Sequence, residues 1–158
     1  MKVNPVGKKL SEVELAYIAG FLDADGCIMA TIEPHKEKRY GFRVRVTLKI
    51  TQSKKEIIDW FRMSLVDGSV YRNRTTFDWI TRDQKAVYRI LQELKPYLKV
   101  KKAQSEYAQK IISTIVESKK DFLRIARLAD SLSRLNVRSK NRRKNYVTMI
   151  KDSFSPND

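Results

Sequence analysis

A strict alternation of apolar and polar side chains is the clearest pattern along this chain. Between residues 42 and 50, every second position is apolar: Phe42, Val44, Val46, Leu48 and Ile50. A period of two is typical of a strand that buries one face of a sheet. Weaker alternation predicts a strand over residues 28–33 and a hairpin with strands over 69–74 and 76–81. Together these segments predict a four-stranded antiparallel sheet.

Helical periodicity fills most of the remaining chain. The first helix is expected to begin at Ser11, which forms a capping box with Glu14, and to end at about Asp25. Gly26 is expected to take the left-handed conformation that ends many helices. A second capping box, Ser53 to Glu56, predicts the next helix. Later helices are predicted over residues 83–94, 102–116, 119–132 and 146–152. The order α-β-β-α-β-β-α, followed by a helical tail, predicts an α+β fold.

Length and composition restrict the class of protein. The 158 residues suit one domain, and a chain of this size needs neither disulfides nor metal to be stable. One Cys and one His exclude a disulfide framework and a four-ligand zinc site. No apolar run approaches the ~18 residues that span a bilayer, and no signal-peptide core is present. We therefore expect an intracellular protein that is not secreted and has no membrane partner.

The charge balance points to a polyanionic partner. Lys and Arg together number 33 and Asp and Glu 18, which gives a net charge of +15. Such an excess favours nucleic acid as the partner. Charge alone separates neither DNA from RNA nor binding from cleavage, and a basic structural protein of the ribosomal type shares this composition.

Two carboxylates stand at the end of the first helix, where the helix dipole disfavours negative charge. Asp23 and Asp25 occupy its last turn. One interpretation is a solvated helix end. The other is a divalent cation bound by Asp25 and the backbone carbonyl of Ala24, a set of oxygen ligands that suits Mg²⁺.

Small residues recur on the same helix. Ala16, Gly20 and Ala24 are spaced by four, and Ala19 and Asp23 lie beside them. Such spacing allows close approach of two backbones. It is compatible with packing on the protein's own sheet or against the same helix of a second copy.

The segment from Tyr17 to Gly26, YIAGFLDADG, resembles the motif that names the LAGLIDADG homing endonucleases. Element order, charge and length extend the resemblance over most of residues 1–158, taken as one domain. One copy of the motif implies a homodimer, as in single-motif members.

The resemblance implies an intron-encoded, site-specific endodeoxyribonuclease that makes a double-strand break in a long pseudo-palindromic DNA site and leaves short 3′ overhangs. An RNA maturase that aids intron splicing, or a catalytically inactive DNA-binding relative, is the alternative. The compartment implied is an organelle (chloroplast or mitochondrion) or a prokaryotic cytoplasm.

The resemblance also implies roles for particular residues. Asp25 would be the catalytic, metal-binding carboxylate, with the Ala24 backbone carbonyl as a second ligand. Gln52 would orient water, and Lys101 would be the catalytic lysine. Mg²⁺ is the expected cofactor, Mn²⁺ a substitute, and Ca²⁺ an ion that permits binding without cleavage. The implied dimer contact contains Ala16, Ala19, Gly20 and Asp23. The family often has a basic residue shortly after the position of Gln52, and this chain has no clear equivalent.

The sheet and one loop are the expected DNA-binding surfaces. Arg and Lys side chains can bond guanine in the major groove, which admits a β-ribbon. The residues expected on the open face of a curved, saddle-shaped sheet are Met29, Thr31, Glu33, His35, Arg43, Arg45, Thr47, Lys49, Arg72, Arg74, Thr76, Asp78 and Ile80. An acid-free stretch late in the chain suits contacts to phosphates. Its candidate residues are Lys140, Arg142, Arg143 and Lys144.

Overall fold

One antiparallel sheet carries the helices on a single face. The structure is a computed structural model that describes residues 9–137 and 139–155; residues 1–8, 138 and 156–158, which belong to the predicted domain of residues 1–158, lie outside that range. The elements are α1 (Glu12–Asp25), β1 (Gly26–Pro34), β2 (Phe42–Gln52), α2 (Lys55–Leu65), β3 (Ser69–Asn73), β4 (Thr76–Thr81), α3 (Gln84–Leu94), α4 (Lys102–Ser113), α5 (Lys119–Asn136) and α6 (Tyr146–Phe154). The strand order is β1-β2-β4-β3, with antiparallel neighbours throughout. The predicted α+β fold and its element order are confirmed.

The core lies between the sheet and the helices. The alternate apolar residues of β2 contribute Val46, Leu48 and Ile50, which are almost inaccessible to solvent. They form one cluster with Ile18 and Leu22 of α1 and with buried side chains of the other helices. The alternation in β2 thus determines which face of the sheet is buried and which is left open. No helix within residues 9–137 and 139–155 is long and apolar enough to cross a membrane.

The ends of several helices differ from the sequence-based expectation. The helix predicted to end at residue 116 ends at Ser113, and the one predicted to end at residue 132 continues to Asn136. The last helix extends to Phe154 instead of residue 152. Apolar periodicity specifies which face of a helix is buried, but helix ends depend on local capping and are defined less sharply.

Gly26 does not adopt the predicted left-handed conformation. Its φ is −97° and its ψ 168°, so the chain passes from the last turn of α1 directly into β1. A Cβ at this position would lie 2.5–2.7 Å from atoms of Leu22. Glycine is therefore required here for a close approach of the strand to the helix rather than for a positive φ.

Of the two predicted capping boxes, only the first is present. Ser11 accepts the amide of Glu14, whose carboxylate in turn accepts the amide of Ser11. The second prediction is wrong, because α2 begins after Lys54 with no side-chain cap. The amide and hydroxyl of Ser53 both donate to Oε1 of Gln52, at 2.8 and 3.1 Å. A contact to the preceding side chain has replaced the expected contact to the helix end.

The basic loop between α5 and α6 is fixed at both ends by polar contacts. Asp130 of α5, which is almost fully buried, accepts the amides of Tyr146 and Val147 at 2.6 and 3.1 Å. At the end of α5, the Asn136 side chain donates to the carbonyl of Ile28 at 2.7 Å. These contacts hold Val137 and residues 139–145 next to strand β1.

Candidate active site and nucleic-acid interface

The C-terminal end of α1 is where the predicted catalytic residues meet. Asp25, the last residue of the helix, has an exposed side chain. Gln52, the last residue of β2, points its amide nitrogen toward the Asp25 carboxylate, with Nε2 and Oδ2 3.5 Å apart. Because Ser53 donates twice to the Gln52 oxygen, the amide is oriented with its NH₂ group toward Asp25.

Lys101 reaches the same helix end from a different part of the chain. It occupies the N-cap position of α4, and its ammonium group donates to the backbone carbonyl of Asp23. The last carbonyls of a helix have no partner within the helix and carry partial negative charge, so a lysine is well placed there. Asp25, Gln52 and Lys101 thus meet at one end of α1. In the sequence, 27 positions separate the first two and 49 positions the last two.

Asp23 contacts its own chain rather than facing a helix–helix contact. Its carboxylate accepts the backbone amides of Lys99 and Lys101 at 2.8 and 2.9 Å. Partial burial by itself would raise the pKa of this carboxyl, but the amides of residues 99–101 and the Lys101 charge outweigh burial and lower its pKa. The sequence-based placement of Asp23 at a dimer contact is corrected accordingly, because its side chain is used within one chain.

The small residues of α1 divide between the core and the surface. Ala19 has 0% exposure in the single chain, so the prediction that it contacts a second copy is wrong. Ala16, Gly20 and Ala24 are exposed, and a Cβ at Gly20 would have no atom within 4 Å. We use the name α1 stripe for this exposed side of the helix, which consists of Val13, Ala16, Tyr17, Gly20 and Ala24. Val13, in the first turn of α1, is 80% exposed.

The strand register determines which side chains share the open face of the sheet. Residues directly opposite in an antiparallel pair point to the same side. The pairs on the open side of β1 and β2 are Met29–Thr47, Thr31–Arg45 and Glu33–Arg43. Strand β4 pairs with the other edge of β2. On the same open face, Lys49 pairs with Ile80 and Thr51 with Asp78. The predicted assignment of these residues and of Thr76 to one face agrees with the register.

Two arginines of the hairpin do not lie where the alternation predicts. Arg72 pairs with Phe77, which places it on the opposite side from Asp78. Arg74 is in the turn, with φ at +56°, and not in a strand. Tyr71, which pairs with Asp78 and is 49% exposed, takes the open-face position instead. Because residues 74 and 75 form a two-residue turn, Asn73 pairs with Thr76. Once the turn is placed there, the sequence predicts that Tyr71, and not Arg72, lies on the open face.

Two acids on the open face are paired with cations of the same face. Glu33 accepts from Nε and Nη2 of Arg43 at 2.9 and 2.6 Å. Asp78 is only 4% exposed and lies 2.9 Å from the Lys49 ammonium. Thr47, with 5% exposure, is also buried, so the prediction that Asp78 and Thr47 are open for base contacts is wrong.

The buried carboxylate of Asp78 has further partners on the same face. It accepts from Thr51 Oγ1 at 2.6 Å and from Asn73 Nδ2 at 3.3 Å. Burial by itself would raise the pKa of Asp78, but the bonds from Thr51, Lys49 and Asn73 outweigh burial and lower its pKa. Asp78 therefore serves to hold its neighbours in place, Lys49 above all.

The remaining predicted contacts lie in loops. His35 follows β1, where its amide donates to the Gly41 carbonyl at 2.8 Å. In the loop after α5, Lys140 and Arg142 are exposed. The Arg143 guanidinium donates to the carbonyl of Val137 at 3.0 Å, and the Lys144 amide to Ser133 Oγ at 3.0 Å. The loop therefore presents several cations on a backbone that is tied to α5.

Comparison with known proteins places this chain in a family. The sequence model described as LAGLIDADG endonuclease matches residues 18–111, more than half of the chain. The DNA endonuclease I-CreI of Chlamydomonas reinhardtii is 31% identical over 156 residues, which cover 93% of this chain and 94% of I-CreI. The chain belongs to the LAGLIDADG endonuclease family.

Solved structures of a LAGLIDADG relative agree with this assignment. The homing endonuclease I-CvuI, known from Chlorella vulgaris, has been crystallised with the I-CreI DNA target in 2 mM Mg, with the DNA not cleaved. That structure matches with a TM-score of 0.81 and 27% identity, covering 90% of this chain and 93% of I-CvuI. I-CvuI with its own target in 2 mM Ca gives a TM-score of 0.80 and 28% identity, covering 90% and 92%. The predicted function class, a LAGLIDADG DNA endonuclease, is confirmed.

The donor atoms at the end of α1 fit a hard divalent cation. No group of three or more His, Cys, Asp or Glu residues that could hold a metal occurs among the described residues of the single LAGLIDADG chain. Each chain instead offers the Asp25 carboxylate and the Ala24 carbonyl, both oxygen donors of the kind that Mg²⁺ and Ca²⁺ prefer. Cys27 follows closely, but burial raises the pKa of its thiol against the opposing effect of Lys101 and Lys49, so it remains a neutral and poor ligand.

Proposed function

We propose that this chain is a homing endonuclease that acts as a homodimer and makes a metal-dependent double-strand break in a long, pseudo-palindromic DNA site. The observation that carries the proposal is the meeting of Asp25, Gln52 and Lys101 at the end of α1, next to a sheet face rich in cations. A continuous core that extends from α1 to α6 supports one domain for the whole chain. Short 3′ overhangs are the expected product.

The α1 stripe is the proposed dimer contact. Its exposed members include three small residues, which allow two helix backbones to approach closely. An isologous dimer about this helix would bring the two Asp25 carboxylates near the symmetry axis, so that each strand of DNA has its own carboxylate. Ala16, Gly20 and Ala24 would lie in this contact, whereas Ala19, which is buried, and Asp23, which binds its own chain, would not.

Mg²⁺ is the proposed cofactor, held by Asp25 and the carbonyl of Ala24, with Mn²⁺ as a substitute and Ca²⁺ supporting binding without cleavage. Structures of I-CvuI with DNA in Mg and in Ca support the use of a divalent ion. When bound, such ions activate water and stabilise the leaving oxygen of a phosphodiester.

The protein groups around the cleaved bond have separate tasks. The Lys101 ammonium can stabilise the negative charge that develops on the phosphate in the transition state. Gln52 can orient the attacking water by hydrogen bonds but cannot take its proton at neutral pH. Asp25 supplies the carboxylate for the metal, and Ser53 keeps Gln52 in its orientation.

Plasmid cleavage is the direct test. Supercoiled plasmid carrying the uninterrupted sequence of the chain's own insertion locus should be linearised with Mg²⁺ and only bound with Ca²⁺. A plasmid with a scrambled site is the control. Binding of the site with no cleavage in Mg²⁺ or Mn²⁺ would instead identify an inactive DNA-binding relative. Selective binding of the host intron RNA would identify a maturase.

Substitutions should separate base recognition from phosphate binding. Arg45→Ala, on the open face, should cost ~1–3 kcal/mol at one base position in each half-site and relax specificity there. Lys140→Ala, in the basic loop, should weaken binding to all sequences alike and reduce the salt slope by about one for each phosphate that the protein no longer neutralises. The measurement is affinity for single-base variants of the site at two salt concentrations. If Lys140→Ala changed base preference while Arg45→Ala changed only the salt slope, the two surfaces would have been assigned the wrong way round.

We also infer an intracellular site of action, in a chloroplast, a mitochondrion or a prokaryotic cytoplasm. A free thiol at Cys27 suits a reducing compartment.

A further inference from the structure

The first acid of the Asp23-Ala24-Asp25 segment has no role in metal binding or in the dimer contact described above. Its carboxylate spans the amides of Lys99 and Lys101, at 2.8 and 2.9 Å, across 76 and 78 positions of sequence. Its backbone carbonyl accepts from the Lys101 ammonium. One residue of α1 therefore binds both the backbone and the side chain of Lys101.

The segment that carries Lys101 is largely exposed and lies outside the helices and strands. Residues 99–101 lie between α3 and α4 and include no helix or strand. Val100 is 70% exposed, and Lys99 is exposed as well. The N-cap position occupied by Lys101 has no side-chain cap of its own. The Asp23 carboxylate binds two amides just before the helix start, and it does so from a different element of the fold.

We propose that Asp23 is a positioning residue for Lys101, which sets the location of its ammonium group beside Asp25 and thereby the rate of DNA cleavage. This inference rests on the proposed catalytic role of Lys101. The carboxylate fixes the backbone from which the lysine side chain extends, and the carbonyl near the end of α1 fixes the ammonium itself. Rotation of Asp23 or loss of its charge would release the loop, and Lys101 would then sample positions away from the phosphate. Effective catalysis requires placement within about 1 Å, so the effect on rate should be large although Asp23 contacts no substrate.

The first measurement is the single-turnover cleavage rate at saturating enzyme, with DNA affinity measured in Ca²⁺. Asp23→Asn keeps one acceptor oxygen and should slow cleavage by roughly 10- to 100-fold, and Asp23→Ala should slow it further. DNA affinity should stay within about threefold for both, because neither change removes a group that contacts DNA. Asp83→Asn is the matched control, since Asp83 also accepts an amide at a helix start, that of Ala86 at 2.8 Å, but on α3. It should leave the rate unchanged.

A double-mutant cycle tests whether Asp23 acts through Lys101. In a Lys101→Met background, Asp23→Asn should have no further effect on the rate, because the group that it positions is gone. Rate reductions that multiply in the double variant would overturn the proposal. So would a rate for Asp23→Asn within threefold of wild type.

Chemical labelling of lysine amines tests the contact between Asp23 and Lys101 without measuring DNA cleavage. Acetylation of the whole protein with a limiting amine-reactive ester, followed by mass spectrometry, compares Lys101 with its exposed neighbour Lys102 in one peptide. Asp23→Asn should raise the labelling of Lys101 relative to Lys102 severalfold, and unchanged labelling would overturn the proposal.

If Lys101→Met cleaved DNA at the wild-type rate, the catalytic role of Lys101 would fail and the positioning role in catalysis with it. An increase in labelling in that case would show that the contact itself is real and that the error lies in the proposed function.

Discussion

Asp25→Asn should abolish DNA cleavage while leaving binding to the target site intact. Asn is nearly isosteric and keeps an oxygen that can accept from the Gln52 amide, so the local hydrogen bonding at the end of α1 is preserved. What disappears is the charge that we propose holds the divalent ion. A bound metal supplies several kcal/mol of transition-state stabilisation, so the rate should fall by about three orders of magnitude or more.

Single-turnover cleavage in Mg²⁺ and binding in Ca²⁺ are the two measurements for Asp25→Asn. Asp59→Asn is a suitable control, since it removes a carboxylate from α2 that pairs with Lys55, at 2.6 Å. That variant should cut normally. We expect the melting temperature of Asp25→Asn to be no lower than that of the wild type, because a negative charge at a helix C-terminus is unfavourable. Cleavage by Asp25→Asn at a rate near that of the wild type would remove Asp25 from the active site.

Gly20→Leu should convert the dimer into a folded but inactive monomer. A Cβ at Gly20 has no atom within 4 Å in the single chain, so a leucine fits without disturbing the core. Replacing glycine in a helix interior should even favour the helix by up to ~1 kcal/mol. In the proposed dimer the same side chain would lie where two backbones approach, and it would force them apart.

Sedimentation at micromolar concentration gives the outcome. Wild type should have about twice the chain mass of 18.5 kDa, and Gly20→Leu should have the mass of one chain. Gln92→Leu, at an exposed position of α3, controls for an added surface leucine and should remain dimeric and active. Circular dichroism should report the same helix content for all three proteins. A Gly20→Leu protein that stayed dimeric and active would show that α1 is not the interface.

Structural features that depend on residues close together in the chain can be predicted from the sequence. The alternation of β2 predicts its start and its buried face, since a shift by one residue would turn Val46 and Leu48 out of the core; the strand runs two residues beyond the alternating stretch, to Gln52. The Ser11 capping box marks the start of α1, because both of its hydrogen bonds join residues three apart. These features depend only on backbone geometry within one element.

Features that depend on contacts between distant segments are harder to predict. Ser53 has the spacing of a capping box, but the Gln52 side chain competes for its hydroxyl. Alternation counted through the turn at Arg74 assigns Arg72 to the wrong side of the hairpin. The position of Asp23 on α1 suggests a helix contact, whereas its partners are amides 76 and 78 residues further along. Periodicity shows which side of an element a residue lies on, but not which part of the chain approaches it.

The direct passage from α1 into β1 at Gly26 fixes the distance between the end of the helix and the start of the sheet. No loop separates the carboxylate of Asp25 from the first residue of the strand that starts the open face, and the close contact with Leu22 leaves no room for a larger residue at the junction. In the proposed enzyme, the distance along DNA between the bond that is cut and the bases that are read would therefore be set by the backbone itself. Substitutions on the sheet should change which bases are preferred and leave the spacing between recognition and cleavage the same, so new target sites should differ in base sequence but not in length.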